Sequence, residues 1–261
     1  MHIFHFNRAI VREPAHSVVD GLRSDQAAVP DYGGIVREHA AYIAALRAAG
    51  LAIDVLPPLE TYPDSMFVED PAIVFPEAAI LLRPGAPSRL GETDAMRGAL
   101  QRHFQTILEL ESTQFVDGGD ILFTPDAVVI GLSTRTSAAG AEALSAKLAS
   151  LGRAARVVDV PQDMLHLKSS AALLDEETLL TSARMKSSGL FAGFKTILVP
   201  DDESFAANAI RINDTVFIAD CYRRTLDLLT RENFHVVPLP LTEVAKLDAG
   251  LSCMSLRWQA G

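Results

Sequence analysis

Cysteine is scarce. Cys221 and Cys253 are the only two in 261 residues, too few for a disulfide framework, which points to a reducing compartment or simply to thiols left free; a cytoplasmic location is expected. Basic residues are also short, 23 Lys and Arg against 33 Asp and Glu, for a formal net charge of -10. Such a chain offers no basic face to neutralise phosphates, so nucleic acid is disfavoured as a partner, while cationic ligands are mildly favoured. No run approaches the roughly 18 apolar residues that span a bilayer. The segment MHIFHFNRAIVR is broken by His, Asn and Arg and lacks the basic-then-apolar pattern of a signal peptide. HExxH, CxxC, GxGxxG and Walker patterns are missing, which leaves metal and nucleotide chemistry without a motif.

What is present is an ordinary globular composition, 49% hydrophobic, arranged in a repeat. Period-two apolar runs flanking short turns predict hairpins that begin near residues 73, 121, 171 and 209. Helical stretches follow three of them clearly, at ETDAMRGALQRHF, SAAGAEALSAKLASLG and RRTLDLLTREN; the stretch around SARMKSSGLF is shorter. Strand-like TILEL, ARVVDV, TILVP and HVVPL come next. The pattern is therefore hairpin, helix, strand, four times. The N-terminal part supplies an incomplete fifth copy, IFHFNRAIV, IVREHAAYIAALRAAG and AIDVLP, which lacks one strand. SCMSLRW, near residue 258, is an unassigned strand-like run. Pairing it with the N-terminal strand predicts one α/β domain over residues 1–261: a five-bladed α/β propeller of ββαβ units, closed into a ring by its terminal strands.

Polar residues precede the first strand of each unit: Glu69 and Asp70, Asp117 and Asp120, His166 and Lys168, Asn208, and finally Cys253. In a ring of repeats such positions converge. Acids, an imidazole and a thiol in one pocket have the composition of a nucleophilic-cysteine site. Each residue also has a plainer reading. An isolated cysteine is usually a small buried hydrophobe, and Cys221 is taken as structural. Asp-Gly-Gly is an ordinary turn sequence, as is the surrounding of Asp64. Paired carboxylates match a planar cation such as guanidinium, and Arg83, Arg89 and Arg135 offer partners for a carboxylate or simply a solvated surface. Adventitious zinc at Cys253 and His166 is conceivable; a functional metal is not expected.

The segments HSVVDGL, YPDSMFVEDPA, LLRPGAPSRLGE, FVDGGDILF, VIGLSTRTSAAG, LHLKS, ESFAANAI and KLDAGLSCMSL resemble the dimethylarginine dimethylaminohydrolase family of the guanidine-modifying superfamily, in order, from about residue 8 to 258. The resemblance implies the same propeller fold and cofactor-free hydrolysis of asymmetric dimethylarginine or monomethylarginine to citrulline and a methylamine. It implies Cys253 as nucleophile, His166 as acid/base, and Asp117 and Asp70 as holders of the guanidinium. Arg89 and Arg135 would take the α-carboxylate, Asp64 and the Leu22 carbonyl the α-ammonium, and Glu69 a supporting place. Family members with Glu at the position of Asp117 are known, so pocket depth is expected to differ from theirs. The alternatives are a deiminase or hydrolase acting on arginine or another small guanidine, and a non-catalytic protein that binds arginine-like ligands. The resemblance leaves open a monomer or a homodimer.

Overall fold

A computed structural model of the chain describes residues 3–261; Met1 and His2, at the start of MHIFHFNRAIVR, lie outside them. The chain opens with β1 (Arg8–Arg12), α1 (Tyr32–Ala48) and β2 (Ala52–Leu56). Four repeats of one pattern follow. The first is β3 (Ala72–Val74), β4 (Ala78–Leu81), α2 (Glu92–Gln101) and β5 (Thr106–Glu109). The second is β6 (Ile121–Phe123), β7 (Val128–Leu132), α3 (Ala138–Ser150) and β8 (Ala155–Asp159). The third is β9 (Ala171–Leu173), β10 (Thr178–Thr181), α4 (Ala183–Ser187) and β11 (Lys195–Leu198). The fourth is β12 (Ile210–Ile212), β13 (Thr215–Ala219), α5 (Arg223–Arg231) and β14 (His235–Leu239), after which come α6 (Thr242–Ala245) and β15 (Leu256–Trp258).

Within each repeat the first two strands pair antiparallel through a short turn, and the second and third pair parallel across the helix. That order is dictated by the connections, since a tight turn reverses the chain and a parallel neighbour needs a crossover. The expected closed propeller is corrected by the sheet topology. The strands form five separate three-stranded sheets, not closed into a barrel or propeller and not curled. Hydrogen-bonded strand order stops at three in every sheet, and an isolated bridge, Arg83 with Val116, lies outside the named strands. β15 pairs antiparallel with β1, Arg8 opposite Trp258 and Ile10 opposite Leu256, and this completes the fifth sheet as β15-β1-β2. Terminal pairing thus supplies a missing third strand and no ring of strands.

The core is divided accordingly. α1 buries Ile35, Tyr42 and Leu46 against Ala9 and Val11 of β1, α2 buries Met96, Ala99 and Leu100 against β4, and α3 buries Ala141, Leu144 and Leu148 against β7. Asp31, Ser137 and Ser182 cap α1, α3 and α4, each side chain accepting a hydrogen bond from the first-turn backbone. No helix among the described residues is long and apolar enough to cross a membrane.

One long-range cap ties α1 to the segment leading to Cys253. The Glu38 carboxylate accepts from the backbone N–H groups of Thr242 (2.7 Å), Glu243 (2.8 Å) and Val244 (2.9 Å) at the start of α6. Glu38→Ala leaves these donors unpaired and should cost about 2 kcal/mol, read as a melting temperature several degrees lower. A loss below roughly 0.5 kcal/mol, the range of ordinary surface substitutions, would show that the cap contributes little.

Candidate active site

Of the polar residues that precede the strands, Asp120, Lys168 and Cys253 sit in short helical turns, and Asp117 and His166 stand directly before two of these. Gly118–Asp120 forms a 3-10 turn before β6, Leu167–Ser169 one after His166, and Leu251–Met254 one before β15. Cys253 therefore lies in a turn and not in the alternating strand that SCMSLRW suggested. Leu22, Asp64, Asp70, Arg89, Arg135, His166 and Cys253 line a single cavity of about 230 Å³. Asp117, fully buried, stands behind His166 with its Oδ2 3.7 Å from His166 Nε2 and 3.9 Å from Arg135 Nη1. Glu69 does not line this cavity; its carboxylate is held by Lys168 Nζ at 2.5 Å and Ser252 Oγ at 3.1 Å.

Gly118 and Gly119 are there because two neighbours come too close for any side chain. A Cβ on Gly118 would lie 1.9 Å from the Glu69 carbonyl oxygen, and one on Gly119 2.8 Å from His166 Cδ2. The close approach lets Gly119 N–H donate to Asp70 Oδ1 at 2.9 Å. Asp70 Oδ2 accepts from Arg89 Nη1 at 2.5 Å. Arg89 is otherwise spent on Glu92, through Nε (3.0 Å) and Nη2 (2.7 Å), and on the Phe67 and Asp64 carbonyls. Arg135 is less committed and partly exposed to the cavity. At its other end Asp64 Oδ1 accepts from the backbone N–H of Leu22 at 3.0 Å.

Opposing forces set the protonation states. Burial and the Asp70 charge raise Asp117 to about 6, against the pull of His166 and of the Gly85 N–H. Burial works to lower His166, yet Asp120, Asp70 and Asp117 outweigh it and raise the imidazole to about 9. Burial raises Asp70, but Arg89, His166 and the Gly119 N–H carry it below the usual carboxylate range. Cys253, partly open to the cavity, is pushed up to about 12 by burial of its thiol and by the charges of Glu69 and Asp70; Gly250 N–H and Lys168 pull the other way. Near neutral pH these forces favour an imidazolium and a protonated thiol.

Asp120 was noted from sequence only as an acid at a repeat entry, without a role, and Ser24 and Asp248 were not singled out at all. Asp120 Oδ2 lies 3.3 Å from His166 Nδ1, off the line of a direct hydrogen bond, and accepts from Ser133 Oγ (2.6 Å) and Thr136 Oγ1 (2.7 Å). Asp248 and Ser24 line the mouth and are clasped together, Ser24 N–H and Oγ both donating to the Asp248 carboxylate. Asp120 belongs to FVDGGDILF and Asp248 to KLDAGLSCMSL, so each stood in a recognisable segment; Ser24 gave no signal. For a metal, the close set among the described residues is Asp70, Asp117 and His166, whose ligand atoms lie within 4.8 Å of one another. Cys253, named with His166 only as a place for adventitious zinc, is outside that set.

The arginine deiminase family model matches residues 54–240. The N(G),N(G)-dimethylarginine dimethylaminohydrolase of Pseudomonas aeruginosa is 40% identical over 97% of this chain and 100% of its own length. The chain belongs to the dimethylarginine dimethylaminohydrolase family. The dimethylarginine dimethylaminohydrolase of Streptomyces coelicolor is 32% identical over 96% of each chain. A solved dimethylarginine dimethylaminohydrolase structure from P. aeruginosa, a cysteine-to-serine mutant complexed with citrulline, matches with a TM-score of 0.94 over 97% of this chain and 100% of that one, at 40% identity. In fold alone, the N-terminal domain of ArgZ is also similar, with a TM-score of 0.84 at 21% identity over 97% and 99% of the two chains.

In this member of the dimethylarginine dimethylaminohydrolase family the acids around His166 should be visible in stability. Its folded value of about 9 exceeds the unfolded value of about 6.5. The resulting stabilisation is complete below about pH 6.5 and is lost as pH rises through about 9. The melting-temperature difference between wild type and His166→Gln should therefore shrink over that window, and a difference that grows with pH would contradict the ion cluster.

Proposed function

We propose that this chain hydrolyses Nω-methylated L-arginine, asymmetric dimethylarginine or monomethylarginine, to L-citrulline and dimethylamine or methylamine. The observation that carries this reading is the single cavity in which Cys253 and His166 share walls with Asp70, Asp64 and Arg135. Whole-length similarity to the P. aeruginosa protein supports the same substrate class. Residues 1–261 act as one catalytic domain in this reading, cytoplasmic, without cofactor or nucleic acid, as a monomer or homodimer.

Asp70 and Asp117 face the guanidinium, whose planar N–H edges suit carboxylates. Asp64 and the Leu22 carbonyl receive the α-ammonium. Arg135 takes the α-carboxylate, with a lesser share for Arg89, whose donors are mostly engaged within the protein. Glu69 acts from behind through its charge. The Cys253 thiolate attacks the guanidinium carbon, forming an S–C bond and a tetrahedral adduct. His166, already protonated near neutral pH, donates its proton to the departing methylamine nitrogen as the C–N bond breaks. Water then attacks the S-alkylthiouronium carbon, giving a proton to neutral His166. The C–S bond breaks, and citrulline leaves.

Because His166 is already a cation near neutral pH, it cannot take the thiol proton. The proton goes to solvent, and the bound guanidinium promotes its loss: a positive charge between Asp70, Asp117 and the sulfur lowers the thiol toward ionisation. Ultraviolet thiolate absorbance at neutral pH should rise when an unreactive guanidine analogue is added, and no rise would exclude substrate-assisted ionisation.

Arginine deimination is the second reading, favoured by the family model that matches residues 54–240. Citrulline formation from arginine, monomethylarginine and asymmetric dimethylarginine separates the two; turnover of arginine alone would overturn the proposal. Cys253→Ser should lower turnover by roughly a thousandfold or more while analogue binding persists. Activity retained in that variant would refute the nucleophile.

A further inference from the structure

A second cavity, of about 480 Å³, has Glu69, Lys168 and Arg257 among its walls and shares no residue with the first. A smaller one of about 110 Å³ has the same three residues in its lining, together with Phe6 and Phe123. These three charges form a compact group. Lys168 Nζ lies 2.5 Å and Arg257 Nη2 3.7 Å from the same oxygen, Glu69 Oε1, and Ser252 Oγ donates to the other oxygen. Arg257 Nη1 is occupied by Ser255 Oγ (2.6 Å) and by the Ser255 and Ser252 carbonyls, while Nη2 makes no hydrogen bond among the described residues. Two cations therefore share one carboxylate, and a positive charge remains beside the cavity. The remaining charged wall residue, Arg153, is paired with Glu77 at 2.5 Å and lies over the Phe75 ring. The other walls include His5, Ser255 and Gln259 and a broad apolar stretch of Val74, Phe75, Phe123 and Trp258.

We infer that this second cavity is a binding site for a small monocarboxylate with an apolar body. The carboxylate sits against Lys168 Nζ and Arg257 Nη2 and completes the charge balance of the Glu69 group. The apolar part lies along the aromatic and aliphatic wall. The site is separate from the proposed substrate cavity, whose own arginines also attract carboxylates, so the two must be read apart.

Sodium benzoate titrated by calorimetry into the whole protein saturated with L-citrulline makes that separation. Citrulline is titrated first by itself, which exposes a failure of the substrate-site reading independently. Benzoate should then bind with one-to-one stoichiometry, and benzyl alcohol, the neutral isostere, should not. Lys168→Met, which leaves Arg257 and Glu69 as a neutral pair, should weaken benzoate roughly ten- to a hundredfold. Gln259→Glu, at an exposed position of the cavity wall, adds a repelling charge without touching the buried group and should also weaken it. No benzoate heat in the citrulline-saturated protein, equal binding of benzyl alcohol, or unchanged affinity in both variants would each overturn the inference.

Discussion

The site depends on one buried carboxylate, Asp70, and on its having two partners from different parts of the chain. One oxygen accepts from Arg89 ahead of α2 and the other from Gly119 in the turn before β6. The carboxyl groups of Asp64, Asp70, Glu92 and Asp117 are buried close together, and burial works to protonate each of them. Arg89 prevents this for Asp70 by contacting both Asp70 and Glu92, while burial raises Glu92 to about 7 even so. With Asp70 ionised, His166 stays cationic and Asp117 is pushed upward. The Asp70–Arg89 ion pair thus acts together with Asp120 and with burial on the charges of the groups that meet a guanidinium.

The backbone serves the same end. Short first strands leave the preceding turns close together, and glycine where Glu69 and the His166 ring approach lets main chain touch main chain. Glu69 N–H donates to the Cys253 carbonyl at 3.2 Å, so the turn carrying the thiol is fixed to the turn carrying Asp70. The rigid part of the site is therefore built from backbone contacts between turns. The mouth at Leu22 is held by a side-chain clasp from Ser24 to Asp248.

Much of this was legible in the sequence, for definite physical reasons. Hairpins near 73, 121, 171 and 209 show because period-two burial and turn residues are local signals, and the strands begin at Ala72, Ile121, Ala171 and Ile210. Acids, imidazole and thiol were brought to one place by repeat position alone. Where reading failed, the deciding contact was tertiary. Repetition announces like units but says nothing of how their edges meet, which is why a closed propeller was expected where five separate sheets form. SCMSLRW looks strand-like throughout because a four-residue window cannot tell a 3-10 turn from alternation. Asp-Gly-Gly reads as a plain turn until the Glu69 carbonyl and the His166 ring are seen against it. Asp120 is one more turn acid in the sequence and becomes a neighbour of Nδ1 only in the fold.

The pairing of β15 with β1 also bears on how the chain reaches this state. Residues 8–10 must find residues 256–258, a contact across nearly the whole sequence, and contacts of such separation slow folding because the intervening loop must be closed first. The turn holding Cys253 precedes β15 directly, so its thiol is among the last groups to be shielded. During that interval it has none of the neighbouring acids that later keep it protonated, and it ionises as an ordinary thiol, near pH 8.5. Until that pairing forms, the thiol that the finished fold keeps protonated is an ordinary oxidisable one.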